Sequence, residues 1–331
     1  LLAAAQLRAS AEGSRARMPH SPEDRWLVCL PLCHIAGLSM LVRALHCRGS
    51  ALLHRGFDPQ RVSEALQRDN VTQLSLVATM LERLLAHSHA GERWDTLRLI
   101  LLGGGPAPTT LIQNAWDRGL PVAPTYGLTE AASQVATRDP HDRQEPIDGR
   151  LRPLPDTDIR ILDSRGQSVE TGVAGEISIR GPSVMQGYWN PEQIHHRGLL
   201  EGWLHTGDLG CLDSEGGLQL VGRRADLIVS GGENIYPAEV EAAINAHPSV
   251  AESVVLGVED SEWGSRPVAW LVHTPKAQSV AEEELIEFLR KQLAGFKIPV
   301  AFHWVDAFPR TSLGKVARDQ FRREAMPPEK P

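Results

Sequence analysis

Val71-Thr72-Gln73-Leu74-Ser75-Leu76-Val77, then Met80-Leu81-Glu82-Arg83-Leu84-Leu85-Ala86, then Leu97-Arg98-Leu99-Ile100-Leu101-Leu102: these successive stretches decide the fold. The outer two are apolar runs of strand length, and the middle one carries its leucines at helical spacing. Strand, helix and strand in succession predict a parallel sheet in an α/β domain. The alternation extends upstream. Trp26 to Leu32 is a short apolar run closed by proline, as a buried strand should be, and Asp58-Pro59 supplies an N-cap and first-turn proline for a helix whose Val62, Ala65 and Leu66 share one face.

After Asp148 the texture changes to short strands and turns, with strands expected at Asp158 to Leu162, Glu176 to Arg180 and Leu218 to Val221. From Asp226 onward a compact α/β unit is expected. It has a helix over 237–246 begun by Pro237, strands near Ser253 to Val258 and Val268 to His273, and a helix over 280–293. Ser279 and Glu282 form a capping-box pattern for that last helix, with Leu285, Phe288 and Leu289 on its buried face. The division between the two parts falls near Arg224, giving regions 1–224 and 225–331.

The 331 residues are 42% hydrophobic and 23% charged, enough to bury a sizeable core in more than one domain. A formal net charge of -7 gives no basic field for nucleic acid or anionic lipid, so a small-molecule substrate fits better. Oligomeric state, a homo-oligomer included, is left open. Cys29, Cys33, Cys47 and Cys211 make no disulfide framework, which points to a reducing cytoplasm. Around Leu30-Pro31-Leu32 the first two read as a buried strand end, not a metal knuckle, and no structural metal is expected. No apolar run is long enough for a membrane span. Leu1-Leu2-Ala3-Ala4-Ala5-Gln6-Leu7-Arg8 lacks an initiator Met and reads as a helix joined in its middle, so a fragment is expected.

Four motifs precede a lysine turn: Thr125-Tyr126-Gly127-Leu128-Thr129-Glu130, Thr206-Gly207-Asp208, Gly222-Arg223-Arg224-Ala225-Asp226 and Ser230-Gly231-Gly232-Glu233-Asn234-Ile235-Tyr236-Pro237. The turn is Pro309-Arg310-Thr311-Ser312-Leu313-Gly314-Lys315-Val316-Ala317-Arg318. Lysine there can bring a compact point charge onto an anionic reaction centre. Alone, a basic turn reads as solvated surface and Glu130 as a surface carboxylate. In this order, over nearly the whole chain, the five motifs resemble the adenylate-forming superfamily of acyl-CoA synthetases, luciferases and peptide-synthetase adenylation domains.

The resemblance implies an α/β fold: part of a large adenylate-forming domain, with α/β sheet layers and a small β-rich subdomain, then a small mobile α+β C-terminal domain. It implies ATP, Mg2+ and coenzyme A as reactants alongside a small carboxylic acid. Tyr126 would lie along adenine with Thr125 and Gly127 beside it, Thr129 would bind phosphate, and Glu130 would bind magnesium. Gly103-Gly104-Gly105-Pro106 would border the adenine and the acyl site, since glycine lets backbone approach a ligand without a Cβ in the way. Asp208 would accept both ribose hydroxyls, with Arg223 on the same ribose or phosphate. Lys315 would act in adenylation and leave when the small domain turns, letting Ser230, Gly231 and Gly232 line the thiol tunnel. Ala225 stands where many relatives carry Asp or Lys at the hinge, and the phosphate loop of the superfamily is expected upstream of Leu1.

A narrower resemblance rests on Pro31-Leu32-Cys33-His34-Ile35-Ala36-Gly37-Leu38, on the triple glycine before Pro106-Ala107-Pro108, and on Ser133-Gln134 after the glutamate. It is similar to the o-succinylbenzoate-CoA ligase branch of menaquinone biosynthesis and implies that His34 and Ser133 face the acid. The alternatives are another aryl- or acyl-CoA ligase, or a non-catalytic adenylate-binding remnant.

Overall fold

A computed structural model describes residues 1–88, 93–142, 150–190, 193–274, 280–311 and 316–325. Two compact units divide the chain, Leu1–Thr206 with Gly210–Gln219, and Gly207–Leu209 with Leu220–Pro331.

In the first unit, helix α1 (Ala4–Arg17) is followed by β1 (Arg25–Val28), α2 (Ile35–His46), β2 (Ser50–Leu53), α3 (Pro59–Arg68), β3 (Gln73–Leu76), α4 (Ala78–His87), β4 (Leu99–Leu102), α5 (Thr109–Asp117), β5 (Val122–Leu128), β6 (Ser133–Thr137) and β7 (Arg152–Pro153). These strands form one sheet in the order β2-β1-β3-β4-β5-β6-β7. The first five are parallel, and β6 and β7 run antiparallel to their neighbours. Leu99 to Leu102 are all buried, as a central parallel strand covered on both faces demands. Val62, Ala65, Leu81, Leu84, Ile112 and Ala115 of α3, α4 and α5 pack into one core with Leu74, Leu76, Ile100 and Leu102. Asp58 caps α3 by accepting the Arg61 N–H at 2.9 Å.

The first part of this sheet differs in detail from the sequence expectation. The strand expected over Trp26 to Leu32 stops at Val28. Cys29 is buried but Cys33 is exposed, so only the first of the pair belongs to a buried strand end. An unexpected edge strand, β2, is mostly exposed and carries no alternating apolar pattern that would announce it.

The β-rich part comprises β8 (Asp158–Leu162), β9 (Gly175–Arg180), β10 (Tyr188–Trp189), β11 (Ile194–His195), β12 (Leu199–Leu200), β13 (Trp203–Leu212) and β14 (Leu218–Arg223). Five of these form a sheet ordered β12-β13-β9-β8 with β14 on β13, while β10 and β11 pair separately.

The second unit contains β15 (Ile228–Ser230), β16 (Glu233–Ile235), α6 (Pro237–Asn245), β17 (Val250–Asp260), β18 (Gly264–His273), α7 (Glu282–Arg290), β19 (Phe302–Trp304) and α8 (Arg318–Ala325). Its sheet runs β17-β18-β19. Alternation along β17 sends Val255 into a core with Val240, Ile244, Leu285 and Leu289, and sends Val254 and Leu256 into a second core with Trp270, Phe308 and Phe321. Helix α7 starts at Glu282 with Ala281 at the N-cap. Ser279, expected to cap it, lies outside the described residues. No helix of the described residues is long and apolar enough to cross a membrane.

Candidate active site

The motif from Thr125 to Glu130 runs along the end of β5, where the antiparallel partner β6 returns after a short turn. Thr125 opposes Thr137 and Gly127 opposes Gln134, with an irregularity after Tyr126. A Cβ on Gly127 would lie 1.8 Å from the Ser133 carbonyl oxygen, so only glycine fits. Ala132 and Ser133 both have positive φ, 54° and 108°. Two successive left-handed residues with side chains are strained, and such strain persists where the surroundings over-determine it. Helix α1 supplies part of that constraint, because Ser10 Oγ donates to the Ala132 carbonyl at 2.7 Å. Ser14 Oγ donates to Gln134 Oε1 at 2.7 Å, and Gln134 Nε2 donates to Thr137 Oγ1 at 2.8 Å. Thr137 Oγ1 in turn lies 2.7 Å from Thr125 Oγ1. The motif strand is thus tied through buried amide and hydroxyl groups to a helix over a hundred residues earlier.

Tyr126 is buried and packs with Ala131, Val135 and Ile177, while Thr129 is exposed. Glu130 Oε1 accepts a hydrogen bond from the Tyr188 hydroxyl at 2.9 Å, and its carbonyl accepts the Met185 N–H at 2.7 Å. A lone carboxylate suits magnesium, which is held by one or two carboxylates together with substrate phosphates and waters. Among the described residues no group of three or more His, Cys, Asp or Glu side chains could hold a metal ion.

The triple glycine leaves β4 beside the same strand. Gly103 N–H donates to the Leu76 carbonyl at 3.1 Å, and a Cβ on Gly103 would lie 2.8 Å from Thr125 Cγ2. Gly104 has φ 86°, and nothing lies within 4 Å of where a Cβ on Gly105 would stand. The fold therefore brings the glycine run and Thr125 together. His34 is the N-cap residue of α2.

The same helix carries a residue that the motifs do not reveal. Arg43 is 2% exposed, and its Nη2 donates to Ser133 Oγ at 3.0 Å. Its Nε has no hydrogen-bond partner. No ion pair among the described residues involves it. Burial pushes the guanidinium down to about 10. The Trp26 ring lies 5.8 Å away. Nearby His20 is pushed down to about 4 by burial and then by the Arg43 charge. A signal for Arg43 exists in the sequence: it stands beside Ala44 on a helix that buries Gly37, Met40 and Ala44, a charge within an apolar stripe.

In the second unit, Asp208 on β13 and Arg223 on β14 form an ion pair at 3.2 Å. Gly231 and Gly232 turn the β15-β16 hairpin at φ 57° and 88°, and a Cβ on Gly231 would meet the Trp263 ring at 2.5 Å. Ser230 closes β15 opposite Glu233. Lys315 lies outside the described residues, as do Ser312, Leu313 and Gly314. The residues flanking them are well anchored. Arg310 bridges to Val316, and Ala317 N–H donates to the Pro309 carbonyl at 2.8 Å. Arg310 Nη2 donates to Glu252 Oε1 at 2.6 Å, and Arg318 pairs with buried Glu241.

Residues 2–189 match the family model described as AMP-binding enzyme, and residues 239–315 match its C-terminal domain. The chain belongs to the AMP-binding enzyme family. Within that family it is 43% identical over 309 residues to the 2-succinylbenzoate–CoA ligase of Bacillus licheniformis, covering 93% of this chain and 63% of that protein. Among solved structures it is similar to the o-succinylbenzoate CoA synthetase of Bacillus subtilis in complex with the acyl-adenylate intermediate OSB-AMP, at a TM-score of 0.88 and 41% identity over 97% of this chain and 65% of that one. The same enzyme with ATP and magnesium ion gives a TM-score of 0.86 and 40% identity over 97% of this chain and 66% of that one. The chain thus spans less than two thirds of the length of these relatives.

Proposed function

We propose that this chain is the greater part of an ATP-dependent carboxylate–CoA ligase, cytoplasmic and acting on o-succinylbenzoate in menaquinone biosynthesis. In the first half-reaction a carboxylate oxygen attacks the α-phosphorus of ATP, and the bond to pyrophosphate breaks. In the second, the CoA sulfur attacks the acyl carbon, AMP leaves, and the thiol proton passes to solvent or base. Residues 1–224 would belong to the adenylation domain and 225–331 to the small domain carrying Lys315.

Each role follows from the charge to be managed. Lys315 would stabilise the charge on the attacking carboxylate and the α-phosphate. Magnesium supplies a Lewis-acid clamp on the phosphates, and Glu130 would hold it. Thr125, Tyr126, Gly127, Thr129 and Gly103 to Pro106 would form the nucleotide side, while Asp208 and Arg223 would hold the ribose. Ser230, Gly231 and Gly232 would give backbone access to the pantetheine.

The observation that carries the choice of acid is Arg43. A buried guanidinium without a carboxylate partner, bonded to Ser133 beside the nucleotide motif, is what an acid with a second carboxylate requires. A plain aryl or fatty acid would leave it unpaired. In the full-length protein, ATP–pyrophosphate exchange should favour o-succinylbenzoate over benzoate by about 10⁴-fold, since a site built to pair a polar group rejects analogues lacking it. Comparable exchange with benzoate or a medium-chain fatty acid would defeat the assignment and move it to another acyl-CoA ligase.

A further inference from the structure

We infer that Tyr188 is a positioning residue for the magnesium-binding carboxylate, fixing Glu130 so that one oxygen is presented to the cation. The inference rests on the ligase reading above. Its ground is geometric: the segment from Met185 to Tyr188 holds Glu130 at two points, the backbone carbonyl through Met185 N–H at 2.7 Å and carboxylate Oε1 through the Tyr188 hydroxyl at 2.9 Å. That hydrogen bond accounts for Oε1 and leaves Oε2 for a ligand.

Tyr188 is itself held in place by its neighbours. It opposes His195 and Trp189 opposes Ile194 in the β10-β11 pair. Gly187 precedes it at φ 147°, where a Cβ would meet Ile194 Cγ2 at 2.7 Å and the His195 carbonyl oxygen at 2.8 Å. The backbone before Tyr188 can therefore be built only with glycine. Core packing does not explain the tyrosine, because it is 41% exposed.

Magnesium demands near-ideal octahedral geometry and tolerates misdirected ligands poorly. A hydroxyl that fixes one carboxylate oxygen orients the other, which is the service outer partners give to metal ligands. Removing such a partner costs about tenfold or more in metal affinity.

The test is calorimetric titration of the full-length protein with MgATP, with ATP in the presence of a chelator, and with AMP. Tyr188→Phe should bind MgATP about tenfold more weakly than wild type, while AMP and metal-free ATP stay within about twofold. In a Glu130→Gln background the same substitution should add nothing. Unchanged MgATP affinity in Tyr188→Phe would overturn the inference and leave the ligase reading standing. Equal losses for AMP and MgATP, or a further loss in the Glu130→Gln background, would make Tyr188 a structural support only. A wild-type protein that binds MgATP no better than metal-free ATP would remove the magnesium role of Glu130, and the positioning role with it.

Discussion

Replacing Arg43 with methionine should make the protein more stable and less active, an inversion that follows from its environment. Burial pushes the guanidinium to about 10, and holding the charge at that depth costs roughly 3 kcal/mol at about 1.36 kcal/mol per tenfold. The folded value lies below the unfolded one, so the cost is fully present at neutral pH and is relieved only above about pH 10. Against it stand the hydrogen bond to Ser133, worth about 1 kcal/mol, and the Trp26 ring, worth about another. Methionine fills similar space without charge, which leaves about 1 kcal/mol in its favour and a rise in melting midpoint of about 2–4 °C. Activity should move the other way. On the proposed reading, losing the partner of a buried carboxylate should lower kcat/KM for o-succinylbenzoate by about 10²- to 10³-fold, while benzoate should change little. Differential scanning calorimetry and pyrophosphate exchange on the same preparations measure both. A lower melting midpoint together with equal losses on both acids would show that Arg43 is a structural element, and the inference of a second carboxylate would fall.

Other outcomes follow from the same physics. Lys315→Ala should reduce adenylation by about 10²-fold or more yet keep thioester formation from a supplied acyl adenylate, because in the proposed mechanism the lysine acts while charge builds at phosphorus; equal loss in single-turnover assays of both steps would contradict this. His20, pushed down to about 4, binds its proton less readily in the folded state than in the unfolded chain. Stability should therefore be full at pH 7, decline from about pH 6.5 and level near pH 4, by roughly 3 kcal/mol in all. His20→Gln should flatten that decline in denaturant titrations, and an unchanged slope would assign it to other groups.

The parallel core was legible because its strands are continuous apolar runs and its helices carry their own start signals, as at Asp58-Pro59. Antiparallel β6 was not anticipated, since Ser133-Gln134-Val135-Ala136-Thr137 pairs through a bulge and two left-handed residues that no local pattern encodes. The contact of Gly103 with Thr125 depends on a neighbouring strand, so the glycine run gave the permission for close approach but not its target. Arg43 escaped because motif reading attends to glycines and acidic residues in loops. A cation in the last turn of a helix has an ordinary explanation in the helix dipole, and only burial distinguishes it.

Pro309, Glu252 and Glu241, which anchor the residues flanking the lysine turn, lie within the second unit. The flanks of the turn are therefore held by contacts within one unit. Recombining the segment from Leu220 onward with another member of the family would carry the lysine's mountings with it and require no matching change to preserve these flanking contacts. If Lys315 and Arg43 have the roles proposed above, exchange of the acid-recognising region can proceed without redesigning the flanks of the lysine turn, which would separate selectivity from chemistry as objects of evolution.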